Sequence, residues 1–338
     1  ILHLTGQAPP TAGAKRAMAP VLQVLPRGNF ELREAALLYV DHGNGYGPWR
    51  FSDVNIAISH DRSELLIEGS ARLPASLGEH AEFKFSTRDP LLNPLAIRWQ
   101  GAVNLDAVSL AGVGELLPTS LPDIQTGVAD LTANFGMIGG ELQHVSANLL
   151  AEDLVFTDAQ AMDHGWTRLG GLFEFDREAS GWKVGASKLI LERHGFSWPE
   201  SRLTFERTAS SNQSVEIVYL DAGYLRLQDL QPIVAWLPEG PLRSRLAALD
   251  SAGELREVVI SRNMRDGAAV SFAVRGEFSN LSLRANVSLP GVAGLSGKLR
   301  MDDAGGLLEL DSTGASLILP SFYEEALPLS RIRAGFNW

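Results

Sequence analysis

From Glu31 onward, apolar and polar residues alternate with a period of two. The alternation comes in short stretches punctuated by Gly, Asp, Asn and Pro. A period of two puts every second side chain on one face of a strand. In 52–58, Val54, Ile56 and Ile58 share a face and Asp53 and Asn55 take the other. In 64–73, Leu65, Ile67, Gly69, Ala71 and Leu73 align, and in 81–87 Ala81, Phe83 and Phe85 oppose Glu82 and Lys84. In 95–105, Leu95, Ile97, Trp99, Val103 and Leu105 oppose Arg98, Gln100 and Asn104. The pattern continues through Phe173/Phe175, Trp182/Val184/Ala186, Leu203/Phe205, Val270/Phe272/Val274, Leu281/Leu283/Ala285/Val287 and Leu299/Met301. One apolar and one polar face per strand is the pattern of antiparallel sheet; strands of a parallel sheet are apolar on both faces.

Helical periodicity is confined to two short stretches, 110–117 and 230–237, each followed by a proline (Pro118, Pro238). They belong to an internal repeat, because 99–118 aligns without gaps to 219–238. Leu105, Leu110, Val113, Leu117 and Pro118 match Leu225, Leu230, Ile233, Leu237 and Pro238. Repeats of this kind build quasi-linear arrays. The organisation expected is a poorly patterned lead-in over 1–30, where Pro9, Pro10, Pro20 and Pro26 break any long element, and a continuous β region over 31–338 with approximate repeats 31–160 and 161–338.

A long sheet that is apolar on one face has to cover that face with a second sheet, by rolling up, or with ligand. Few helices are available, and small residues such as Gly69, Ala71, Ala81, Gly101, Ala147, Ala186 and Ala285 recur at apolar positions. The fold class predicted is therefore all-β with a few short helices: an elongated, strongly curved antiparallel sheet forming a hydrophobic groove, built from repeats. About 20 strands at about 4.8 Å spacing would span roughly 100 Å. The residues predicted to line the groove are Val54, Ile56, Ile58, Leu65, Ile67, Phe83, Phe85, Ile97, Trp99, Val103, Phe173, Phe175, Val184, Phe205, Phe272, Val274, Leu281, Leu283, Ala285, Leu299 and Met301.

Composition narrows the function classes. With 45% hydrophobic and 20% charged residues the chain is of folded type. A net charge of −11 without basic runs argues against nucleic acid and against electrostatic docking on anionic membranes. The absence of cysteine excludes disulfides and thiolate metal sites. No apolar run reaches the length of about 18 residues that a membrane-spanning helix needs. The chain starts at Ile1, which suggests an excised stretch with any anchor upstream.

Catalytic patterns are weak. The seven histidines are scattered, with none at metal-ligand spacing, and no Gly-x-Ser-x-Gly elbow occurs. Gly294-Leu295-Ser296-Gly297-Lys298 lacks the first glycine and the final Ser/Thr of a phosphate loop and reads as a turn into a strand; Gly43–Gly47 reads as a hairpin loop. Asp302-Asp303 on a turn and Glu324-Glu325 at a predicted helix start are sequence neighbours, whereas paired catalytic carboxylates face each other across a cleft. The seven tryptophans suit either a polar/apolar boundary or plain packing. No catalytic residue, metal or cofactor is implied.

The order of several short motifs resembles the central region of the YhdP family over about residues 30–338. They are Phe278-Ser279-Asn280-Leu281-Ser282, Leu289-Pro290-Gly291-Val292 and Gly294-Leu295-Ser296-Gly297, then Phe322, Pro328-Leu329 and Trp338. Upstream, Trp49-Arg50-Phe51-Ser52-Asp53-Val54, Leu73-Pro74 with Gly78, and both Leu-Pro-ended helices fit the same pattern. The resemblance implies an AsmA-like protein of Gram-negative bacteria, a periplasmic β-groove anchored to the inner membrane by an N-terminal helix outside this stretch. It also implies phospholipid carried between inner and outer membranes with acyl chains in the groove, and no enzymatic activity. Two alternatives stand beside this: a structural or outer-membrane assembly factor with a closed, dry core and no lipid cargo, and a carbohydrate-binding or enzymatic sandwich.

Overall fold

The computed structural model describes residues 27–41, 46–89, 96–114, 123–157, 163–210, 215–234, 251–266, 268–284, 291–319 and 325–338. These hold 17 strands of one sheet and two short helices. No helix among them is long and apolar enough to cross a membrane. The all-β antiparallel class read from the alternation is what the structure contains.

The chain divides into two compact units that interleave in sequence. The first takes Ile1–Pro118, Ile124–Val155 and Arg168–Arg177, and the second Thr119–Asp123, Phe156–Thr167 and Glu178–Trp338. In the first unit β1 (Gly28–Asp41), β2 (Tyr46–His60), β3 (Leu65–Arg72), β4 (His80–Thr87), β5 (Arg98–Ser109) and β6 (Asp123–Ile138) form an antiparallel meander, each strand pairing with the next. Parts of β7 (Glu141–Thr157) and β8 (Asp163–Glu178) also belong to it. In the second unit β9 (Gly181–Arg193) pairs with the two-residue β10 (Phe196–Ser197) and with β11 (Ser201–Ala209). The meander goes on through β12 (Val215–Arg226), β13 (Ser251–Arg265), β14 (Ala268–Leu283), β15 (Gly291–Asp302), β16 (Gly305–Ile318) and β17 (Leu327–Asn337).

Helix α1 (Leu110–Gly114) follows β5 and helix α2 (Leu227–Val234) follows β12, so the strand-then-helix order of the repeat occurs in both. Helix α1 is N-capped by Ser109, whose Oγ accepts the Gly112 N–H at 3.2 Å. Helix α2 begins three residues before Leu230, and Leu117, Pro118, Leu237 and Pro238 lie outside the described residues. Gly294–Lys298 lies inside β15, with Gly294 at φ +72°, so it is a strand irregularity and not a turn. Glu325 leads into β17 and not into a helix; Glu324 is outside the described residues.

A feature that simple alternation missed recurs along the sheet. Seven strands carry one non-glycine residue in the left-handed region: Glu34 in β1, Asp53 in β2, Ala107 in β5, Asp153 in β7, Lys188 in β9, Glu257 in β13 and Asn280 in β14. Register shifts mark bulges at most of these positions. A bulge adds one residue, so the parity of the apolar positions flips across it. Leu32 is thus followed by Ala35 and Leu37, Leu105 by Val108, Ala186 by Leu189, and Phe278 by Leu281 and Leu283. Polar side chains on neighbouring strands take up the backbone groups freed there. Asn55 Oδ1 accepts the Glu34 N–H (3.1 Å), Asp130 Oδ1 the Ala107 N–H (2.8 Å), Ser296 Oγ the Asn280 N–H (3.0 Å) and Ser312 Oγ the Ser296 N–H (2.7 Å). Each bulged strand bends and twists more strongly at this point.

Candidate functional site

The strand registers assemble the apolar positions into rows that run across the strands. In the first unit one row joins Phe30, Ile58, Ile67, Phe85, Gly101 and Phe135, and the next joins Leu32, Ile56, Gly69, Phe83, Val103 and Ala133. In the second unit one row joins Val184, Phe205, Leu220, Ile260, Val274, Met301 and Gly306 across seven strands, with Trp338 bonded to Gly306 at its end. Beside it run Ala186, Leu203, Ala222, Val258, Gly276, Leu299, Leu308 and Phe336.

Within each unit the substantial contacts run between hydrogen-bonded strands, with α1 against β5 and α2 against β12 and β13. Within each unit the described strands all belong to one sheet. Many row members are only half buried, and Ile260 (37%), Val184 (40%) and Phe336 (50%) stay open to solvent although they are large and apolar, whereas Ala186, Ala222 and Val258 in the neighbouring row are buried. Seven strands at about 4.8 Å make the long row roughly 29 Å across, about twice the ~15 Å hydrocarbon depth of one membrane leaflet.

Glycines in the rows are not empty space. A Cβ on Gly69 would meet the Phe83 ring, on Gly101 the Phe135 ring, on Gly297 the Phe278 ring and on Gly306 the Trp338 ring. The rings lie across the glycine of the next strand and level the face. Phe85 joins Phe83 at 5.5 Å and Phe135 at 5.8 Å between ring centres.

Of the predicted lining residues, Ile56, Ile58, Ile67, Phe83, Phe85 and Val103 come together on the first unit's face, with half-buried Trp99 opposite Met137 towards its edge. Val184, Phe205, Phe272, Val274, Leu299 and Met301 come together on the second unit's face, and Leu281 and Leu283 continue it beyond the Asn280 bulge. Phe173 and Phe175 are half-buried on β8. Val54, Leu65 and Ile97 are 4%, 2% and 1% exposed, covered by the protein itself. Ala285 lies outside the described residues. Sequence reading missed Leu220, Ile260, Leu308 and Phe336; their alternation is regular, and the register with their neighbours is what assigns them to the face.

The opposite faces are polar and carry cross-strand ion pairs, such as Lys84–Glu68 and Lys298–Glu277, both at 2.5 Å, and Arg202–Glu257 at 2.9 Å. Exposed pairs of this kind contribute little to stability. A buried polar cluster lies beside α2. The Trp198 indole donates to Asp229 Oδ2 at 2.8 Å, Arg226 sits 3.4 Å from the same carboxylate, and Trp198 packs edge-on against Tyr224. Burial, helped by the Glu254 carboxylate, pushes the Tyr224 hydroxyl up to about 12. Trp166 is likewise core, packed on Phe156. No group of three or more His, Asp or Glu side chains converges as a metal site among the described residues.

An antiparallel β protein with apolar rows open on one face and ion pairs on the other defines a class: an all-β sheet scaffold with exposed apolar rows. The family model described as YhdP protein matches residues 5–338, and the chain belongs to the YhdP family. At a general level that membership connects it to AsmA-like lipid transport, a non-enzymatic activity. Comparison with curated proteins and with solved structures finds no match.

Proposed function

We propose that the open apolar faces shelter the acyl chains of phospholipids in transit between the inner and outer membranes, in the periplasm. In this reading the protein reaches the two membranes through parts outside this stretch, with a helical anchor in the inner membrane. The observation that carries the reading is the unbroken apolar row across successive hydrogen-bonded strands, with large side chains such as Val184 and Ile260 left exposed. Removing a methylene from water is worth about 0.8 kcal/mol, so a tail gains from contact anywhere along such a row. Neighbouring positions are chemically alike (Phe205, Leu220, Ile260, Val274, Met301), which keeps the steps between them shallow. Passage is then passive, and no side chain performs chemistry.

A photo-crosslinking amino acid tests this. Placed at Phe83 or Leu299, on the apolar faces, it gives phospholipid adducts detectable by mass spectrometry. Placed at Lys84 or Lys298, one residue away on the polar faces, it does not. Equal labelling from both faces, or no lipid adduct from either, defeats the proposal; the latter is what a dry-core assembly factor predicts.

A further inference from the structure

Towards the hairpin ends of β11–β14, the second unit's apolar rows give way to a row of different chemistry. Trp182, Arg207, Val218, Arg262 and Phe272 oppose one another across β9, β11, β12, β13 and β14. Pairing is unbroken between this row and Phe205, Leu220, Ile260 and Val274, so both arginines share the apolar face. One row further out on the same face stands Glu216, opposite Ala209 and Met264. Arg207 Nε donates to Glu216 Oε1 at 2.7 Å, and this bond, with Arg262 acting through space, holds the Glu216 carboxyl below its usual range. Arg262 has no hydrogen-bond or ion-pair partner among the described residues. In the first unit the opposed edge positions Gly28, His60, Leu65 and Thr87 hold no Arg or Lys.

We propose that Arg262 is a phosphate station for glycerophospholipid headgroups at the rim of the second unit's apolar face, with Arg207 positioning it by neutralising Glu216. The inference rests on the lipid-carrying reading above. An arginine in such a row lays its aliphatic stem along apolar surface and holds its guanidinium at the water boundary. The planar guanidinium matches two oxygens of a phosphate diester. From Ile260, beside Arg262 on the same face, to Val184 is three strand spacings, roughly 14 Å at about 4.8 Å each. That is close to the ~15 Å hydrocarbon depth of a leaflet, so a tail lying along the open row from Ile260 through Leu220 and Phe205 to Val184 brings its phosphate to Arg262. Without Arg207, the Glu216 carboxylate beside the station would repel the phosphate.

The test loads the purified chain from vesicles containing either phosphatidylglycerol or a diacylglycerol with the same acyl chains, and counts bound lipid by native mass spectrometry. Arg262→Gln lowers phosphatidylglycerol loading about five- to tenfold and leaves diacylglycerol loading unchanged. Arg262→Lys retains part of the preference, Glu216→Gln raises phosphatidylglycerol loading, and Arg265→Gln, on the opposite face of the same strand, alters neither lipid. An Arg262→Gln protein that keeps full phosphatidylglycerol loading, or loses both lipids alike, overturns the station while leaving lipid carriage standing. A wild-type chain that takes up neither lipid overturns lipid carriage itself, and the station with it.

Discussion

Left-handed residues and ring-covered glycines set the local geometry of this protein. An L-residue with a Cβ pays roughly 1–2 kcal/mol to sit in the left-handed region, and glycine or asparagine less. Ala107, at φ +47°, has no side chain that compensates locally. Ala107→Gly is therefore expected to be neutral or stabilising by up to about 1 kcal/mol, and Ala107→Val to destabilise by more than that, as read from urea midpoints. Gly297 is the reverse case. A Cβ there would meet the Glu309 carbonyl oxygen and the Phe278 ring, so Gly297→Ala is expected to cost about 1–3 kcal/mol in the same measurement. Tyr224 titrates at about 12, above the ordinary phenol value. A raised acid pKa in the folded state means that the unfolded chain ionises first. Its contribution is intact below pH 10 and is lost as pH climbs from about 10 to 12, so Tyr224→Phe should flatten the alkaline fall of the melting temperature.

At the scale of elements, the bulges decide which residues share a face. Without a bulge at Asn280, Leu281 and Leu283 would fall on the polar face while Val274 and Phe278 stayed on the apolar one. The bulges depend on side-chain acceptors for the backbone N–H groups they release. Ser312, 3% exposed, accepts from Ser296 N–H and donates to the Ser296 carbonyl at 3.0 Å. Ser312→Ala leaves that amide without its acceptor and should lower stability by about 1–3 kcal/mol. Ser59→Ala, at an exposed hydroxyl bonded to Asn29, should change the urea midpoint hardly at all.

For the molecule as a whole, the alternation already contained the all-β antiparallel class, because a strand with one greasy and one polar face fits no other sheet type as well. Motif order contained the family, to which residues 5–338 match. Phe83, Phe85 and Val103, or Val274, Leu299 and Met301, could be placed on one side of their strands from local parity alone.

Parity could not tell which apolar residues are covered by the protein. Leu65 and Ile97 alternate as well as Phe83 does, yet they are buried, since burial depends on residues distant in sequence that the local pattern does not see. Nor did it reveal that rings from neighbouring strands lie over Gly69 and Gly101, or that Arg207 and Arg262 stand in line with Phe205 and Ile260. The sequence by itself determined the two-faced strands, because side-chain direction in a strand follows from chain geometry. Only the tertiary structure decided which strands join into rows and where those rows stay open, because strand register and bulge positions are set by pairing between segments far apart in the chain.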